Sequence, residues 1–172
     1  MSIKQRFASL FKGYYWVMLV IIALDQATKW IVVSLKPNMQ PIINGFFYFD
    51  YQRNTGAAWS ILSGNTIILA FFSLIIGVAF IFYRIKKDKV LSNLMKLDIA
   101  FIVGGTLGNF IDRAFYEEGV IDFLSLVFGN YYFPVFNIAD MTLVIGFIGL
   151  ALLVALNKEK VPSSIDEGNK HE

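Results

Sequence analysis

Asp25, Asp112, Asp122 and Asp140, with Lys29, are the residues of this chain whose type and placement could do chemistry, because each stands in or beside a long apolar stretch. Asp122 sits in Val120-Ile121-Asp122-Phe123, and Asp140 follows Asn137 by three residues. Two carboxylates that share a site cannot both ionise easily, so one keeps a proton near neutral pH. That split suits peptide hydrolysis, in which the ionised acid takes a proton from water and the protonated acid polarises the scissile carbonyl. Asn137-x-x-Asp140 also has the spacing of a helix cap, with Asp140 favoured by the helix dipole. Cap and catalysis are compatible. Asp112 shares a helix face with Asn109 and has Arg113 as a neighbouring cation, an arrangement that a structural network explains. Asp25 and Lys29 lie four residues apart on one face in the favourable acid-then-base order. They are either a neutralised pair that anchors a helix or direct participants in a site, since an ionisable residue in a span is a functional hypothesis by default.

Other chemistries are excluded by composition. The chain has no cysteine, and its one histidine, His171, lies in a polar tail. No Ser-His-Asp triad, Cys-His pair or His-ligated metal can be built from it. The expectation is a metal-independent enzyme with no cofactor. A Ser-Lys hydrolase would need Ser60 or Ser63 against Lys29, and nothing in the spacing puts either there.

The elements that must position these residues are membrane spans. Of the 172 residues, 56% are hydrophobic and 16% charged, and the mean hydropathy is +0.59; a soluble domain is about 45–50% apolar and about 25% charged. Apolar segments at about 14–35, 66–83, 94–111 and 138–156 are each long enough to cross a hydrocarbon core of about 30 Å. The first is too long for a signal-peptide core and lacks a small-x-small cleavage site, so it is expected to be retained. The third is weaker because it contains Lys96, Asp98 and glycines; among them Gly104 and Gly108 form a small-x-x-x-small face for close helix packing.

Basic residues set the orientation. Lys4, Arg6 and Lys12 precede the first span, Arg84, Lys86, Lys87, Lys89 and Lys96 crowd the connection between the second and third, and Lys158 and Lys160 follow the fourth. Residues 37–65 and 112–137 carry only Arg53 and Arg113 and are expected outside, with both termini in the cytoplasm. The aromatic run at 46–52 reads as a strand near the headgroups, after an Asn44-Gly45 turn. The second outer connection is expected to lie on the membrane surface. The fold class is thus a membrane all-α protein of four transmembrane helices, with a small extracytoplasmic β-rich element and a membrane-surface loop. Residues 1–160 form one domain, and the polar tail 161–172 is expected to be disordered.

Five motifs now stand in order: Asp25-Gln26-Ala27-Thr28-Lys29, Asn54-Thr55-Gly56-Ala57-Ala58-Trp59, Gly104-Gly105-Thr106-Leu107-Gly108-Asn109-Phe110-Ile111-Asp112-Arg113, Val120-Ile121-Asp122-Phe123 and Phe136-Asn137-Ile138-Ala139-Asp140. Together they resemble the bacterial lipoprotein signal peptidases, also called signal peptidase II, over all four spans and both outer connections. The resemblance implies an aspartyl endopeptidase of the bacterial plasma membrane, acting at its outer surface. Its substrates would be prolipoproteins, cut on the N-terminal side of a cysteine that already bears a diacylglyceryl group. It places the catalytic pair on Asp122 and Asp140, with Asp112 an older rival for the first role. It assigns Asn54, Asn109, Arg113 and Asn137 to shaping the site or holding substrate; Asp25, Lys29, Gly108 and Asp112 are read as supports. Trp59 stands where the family commonly has Phe. The expected partners are a lipidated prolipoprotein and membrane lipid, with no nucleic acid, and the chain is expected to be a monomer.

A small transporter would also place ionisable groups in spans, but nearer the midplane and often in repeated or broken helices. A non-catalytic scaffold would account for the glycines and not for acids at the mouths of the third and fourth spans.

Overall fold

The computed structural model describes residues 13–56 and 64–158. The expectations stated above for the two tails, and those for Trp59, Ser60 and Ser63, fall outside these residues. Among the described residues four helices are long and apolar enough to cross a membrane: α1 (Tyr15–Leu35), α2 (Thr66–Lys86), α3 (Asn93–Phe115) and α4 (Ile138–Lys158). The other elements are strands β1 (Gln40–Ile43), β2 (Phe47–Asn54), β3 (Val120–Phe128) and β4 (Tyr131–Tyr132).

The least apolar span is the most buried. α3 packs against all three other helices, so its polar face looks at protein while α1, α2 and α4 turn Trp30, Ile67, Phe71 and Leu152 outward. In hydrocarbon, packing between helices comes from close contact rather than from apolar burial, and the glycines of α3 supply it. A methyl group on Gly104 would stand 2.9 Å from Ile21 of α1, and one on Gly108 would stand 2.7 Å from Asp25 Oδ2 and 3.2 Å from Ala139 Cβ. The expected small-residue face therefore serves α1, and at Gly108 it serves α4 as well.

The helix of the third span runs on past its apolar segment, which was expected to end near residue 111, to Phe115, and so carries Asp112 and Arg113 at its outer end, on the helix where the spacing put them. Asp112 tolerates this because Lys29 pairs with it. The second outer connection, expected as a loop on the membrane surface, has regular structure. It is mostly β3 and β4, which join β1 and β2 in one antiparallel sheet of order β1-β2-β3-β4. The β3–β4 turn uses Gly129 at φ 62°, a left-handed conformation that suits glycine in a tight hairpin. Pairing of β2 with β3 brings both connections to one end of the helical bundle. At the other end the fully buried Arg84 donates to Gly13 O, pairs with Asp88 and lies over the Tyr15 ring.

Candidate active site

Asp122 is placed by strand register. Between Phe49↔Leu124 and Gln52↔Asp122 the β2–β3 ladder slips by one residue on β2. Such bulges re-aim side chains. Without it Arg53, not Asn54, would stand across from Val120, since a one-residue change exchanges the two faces. With it, Asn54 shares the face of Asp122, and Asn54 Nδ2 donates to Asp122 Oδ2 at 2.9 Å. Arg53 is turned to the other side, where it pairs with Glu118 and lies over Tyr116.

The far edge of β3 holds the approach to α4. Phe123 and Leu124 N–H both donate to Phe136 O, and Phe136 N–H donates to Leu124 O. Asn137 therefore enters the site directly beside Asp122. Its side-chain Oδ1 accepts from Asp140 N–H at 2.9 Å, while its own N–H donates to Asp140 Oδ2 at 3.1 Å. This is the expected cap, in its reciprocal form. The same Asn137 donates through Nδ2 to Asp122 Oδ1 at 2.7 Å. One asparagine thus joins both acids.

Beneath them lies a buried polar cluster. Lys29 Nζ donates to Asp25 Oδ2 at 2.8 Å, Asp112 Oδ2 at 2.9 Å and Asn109 Oδ1 at 3.0 Å; its side chain is 1% exposed and those of Asp25 and Asp112 are 0% exposed. Asp25 Oδ1 accepts Ala139 N–H at 2.9 Å, one of the first N–H groups of α4 that lack an intrahelical partner. Asp112 Oδ2 accepts Ile121 N–H at 3.0 Å, which pins β3 one residue before Asp122. Asn109 Nδ2 donates to Asp140 Oδ1 at 2.7 Å. The Asp25–Lys29 pair anchors α1 to α3 and α4, and it touches the groups that touch the two acids without itself lining the cavity described below.

Above the acids a cavity of about 540 Å³ opens, lined by Asn54, Asn109, Arg113, Asp122 and Asp140 at its polar end and by residues such as Phe133, Met141 and Val144 elsewhere. Arg113 Nη2 donates to Gly56 O at 3.3 Å, and Arg113 Nε is buried without a hydrogen-bond partner among the described residues.

Burial, and then the charge of Asp140, push the Asp122 carboxyl up to about 7; the hydrogen bonds from Asn54 and Asn137 and the charge of Lys29 pull the other way without reversing it. A pair that works with one proton loses it as pH rises through that value. We therefore expect kcat/KM, which reports groups of the free enzyme, to fall above pH about 7 by roughly tenfold per pH unit. Initial rates across pH 5–9 in one lipid preparation check this; a flat profile between 6 and 9 would show that no shared proton is needed.

All ten residues singled out as catalytic or supporting are thus brought together: Asn54, Asn109, Arg113, Asp122, Asn137 and Asp140 at or beside the cavity, and Asp25, Lys29, Gly108 and Asp112 beneath it. Two features were missed. Gln26 Nε2 donates to Asp112 Oδ1 at 2.8 Å and Gly108 O at 3.2 Å; its signal was a polar side chain deep in an apolar span, beside Asp25. The other is the pairing of the two outer connections, which delivers Asn54. Of the Asn54–Trp59 motif, only residues 54–56 are described.

Comparison with known proteins gives the family. Residues 17–156 match the model of the family described as signal peptidase (SPase) II. The chain is 42% identical over 153 residues to a lipoprotein signal peptidase of Bacillus pumilus, covering 88% of this chain and 97% of that one. It is 44% identical over 154 residues to one of Listeria monocytogenes, covering 86% and 96%. A solved bacterial membrane enzyme superposes with a TM-score of 0.73 at 32% identity, over 89% of this chain and 92% of its own. With a family match across all four spans and relatives covered almost end to end, the chain belongs to the signal peptidase II family.

Proposed function

We propose that Asp122 and Asp140 are the catalytic pair of this prolipoprotein signal peptidase. We further propose that it cuts on the N-terminal side of a cysteine carrying a diacylglyceryl group. The observation that carries the reading is the joining of two cavity-lining carboxylates through Asn137, whose Nδ2 donates to Asp122 and whose backbone N–H donates to Asp140, in a setting that raises Asp122 to about 7. Water attacks the scissile carbonyl carbon and gives its proton to the ionised acid, while the protonated acid donates to the carbonyl oxygen. As the tetrahedral intermediate collapses, the C–N bond breaks and the departing nitrogen takes a proton from the pair. The products are a signal peptide with a new carboxyl terminus and a lipidated cysteine with a free amino group. All the groups used come from one chain, so a monomer suffices.

The excess of basic residues in and around 84–96 supports an orientation with the site end facing outward and the termini in the cytoplasm. The test is direct: purified protein and a diacylglyceryl prolipoprotein in detergent should yield the chain shortened at the lipidated cysteine, read by mass spectrometry, with or without a chelator. Cleavage elsewhere in the chain, or activity that a chelator abolishes and zinc or magnesium restores, would overturn the reading.

A further inference from the structure

We infer that Lys29 is a positioning residue for peptide hydrolysis, acting through Asn109 to aim an N–H at Asp140; this rests on the catalytic pair proposed above. An ammonium group has three donors and no acceptor. Those of Lys29 go to Asp25, Asp112 and Asn109 Oδ1. The contact with Asn109 decides that side chain's orientation, because an amide turned the other way would set its NH2 against the ammonium. The oxygen must face Lys29, so the NH2 must face the cavity, where it meets Asp140 Oδ1 at 2.7 Å.

The effect extends one step further. Asn109 Oδ1, held by Lys29, also accepts from Asn137 Nδ2 at 3.0 Å, and that same NH2 group donates to Asp122 Oδ1. Asn137 is independently held in this sense by Asp140 N–H, which donates to Oδ1, and by Ile121 O, which at 3.2 Å shares one of the two Nδ2 hydrogens with the shorter contacts. The Asn109 side chain has no such second restraint from the backbone of the described residues. Besides Lys29, its oxygen meets only Asn137 among them, and its nitrogen only Asp140. Two fixed donors thus hold the Asn109 oxygen, the Lys29 ammonium and the Asn137 NH2, and Lys29 is the one that carries charge. If it is lost, only the neutral Asn137 contact still holds the Asn109 oxygen, and the amide can turn that oxygen toward Asp140, placing acceptor against acceptor at the acid that must exchange a proton with water. Misplacement of a reacting group by about 1 Å can cost on the order of 10²-fold in rate.

The experiment measures kcat and KM separately on a diacylglyceryl prolipoprotein. Removing Lys29 alone would strand two buried carboxylates, so the variant is the charge-balanced double substitution Asp25→Asn with Lys29→Met. Expected is a fall in kcat of about 10²-fold with KM within about twofold, the pattern of an interaction that acts in the chemical step. Asn109→Ala should show the same fall. Combining all three substitutions should lower kcat no further, because the two sites act in series. Unchanged kcat in the double variant, or losses that multiply in the combined one, would overturn the inference. Multiplying losses would instead route Lys29 through Asp112. If the double variant does not accumulate as folded protein, Asn109→Asp decides. It keeps an acceptor for Lys29 but has no N–H for Asp140, so it should lose kcat as Asn109→Ala does; full turnover would overturn the inference. Asp140→Asn is assayed alongside. If it stays active, the catalytic pair is wrong, whereas an inactive Asp140→Asn beside an active double variant refutes the role of Lys29 alone.

Discussion

Asp122→Asn and Asp140→Asn should each reduce turnover by about 10⁴-fold or more, and the two together by no more than the worse single change. Each substitution nearly keeps the shape of the side chain and removes its ability to exchange a proton. In the proposed mechanism the acids work as one unit, so a pair lacking either member has no route to activate water and the carbonyl together. The folded state should survive both changes. In Asp122→Asn the new amide would still offer its oxygen to one of the two side chains that now donate to Asp122, those of Asn54 and Asn137. In Asp140→Asn the amide oxygen would keep one acceptor toward Asn109 or Asn137. The cost is one strained or lost hydrogen bond each, on the order of 1–3 kcal/mol for a buried group left unpaired. Product formation on a lipidated precursor and thermal unfolding in detergent separate the two effects. Near-normal turnover of Asp122→Asn would refute the assignment.

Asp112 should behave differently. Its carboxylate is fully buried, accepts from Lys29, Gln26 and Ile121 N–H, and does not line the cavity. Replacing it breaks a buried ion pair, a change typically worth about 3–5 kcal/mol, and releases the strand that carries Asp122. Its importance in the fold is therefore a matter of where it holds β3. A sequence cannot distinguish that from catalysis, since in both cases an Asp in Asn109-x-x-Asp112-Arg113 is required.

What could be read from the sequence, and what could not, divides along the same physical line. The spans were legible because a bilayer forces about twenty apolar residues into each helix. The end of α3 was read short, at about residue 111, because the apolar run stops there while the helix continues to Phe115, with Asp112 neutralised by Lys29 of another span. β3 was hidden for a related reason. Nearly every residue from Val120 to Val127 is buried, so the strand lacks the alternation that marks one with a wet face. Nor could the bulge between Phe49 and Gln52 be foreseen, and with it the choice of Asn54 over Arg53 as the neighbour of Asp122. The site residues themselves were named through five motifs in order. Their geometry came only with the sheet and the helix packing.

A diacylglyceryl prolipoprotein should be cut far faster than the same precursor without its lipid, by at least about 10²-fold in kcat/KM. The acids lie at the sheet end of the bundle, at one end of a cavity whose other walls include Leu126, Phe133, Met141 and Ile145. A substrate carrying two acyl chains is held in the bilayer at about 0.8 kcal/mol per buried methylene. Its cysteine is then fixed at the depth where the chains begin, and the search for the acids becomes two-dimensional. An unlipidated precursor is still tethered by its apolar signal segment, but that segment can slide along the membrane normal and rotate, and nothing holds the scissile bond against Asp122 and Asp140. Orientation of reacting groups can lower a barrier by several kcal/mol, about 7–11 at best, so even a small share of it exceeds two powers of ten. The comparison uses both precursors in one lipid preparation at matched surface concentration, with product followed by mass. Equal rates would mean that the signal segment alone positions the bond, and the apolar walls of the cavity would then have to serve the peptide rather than its lipid.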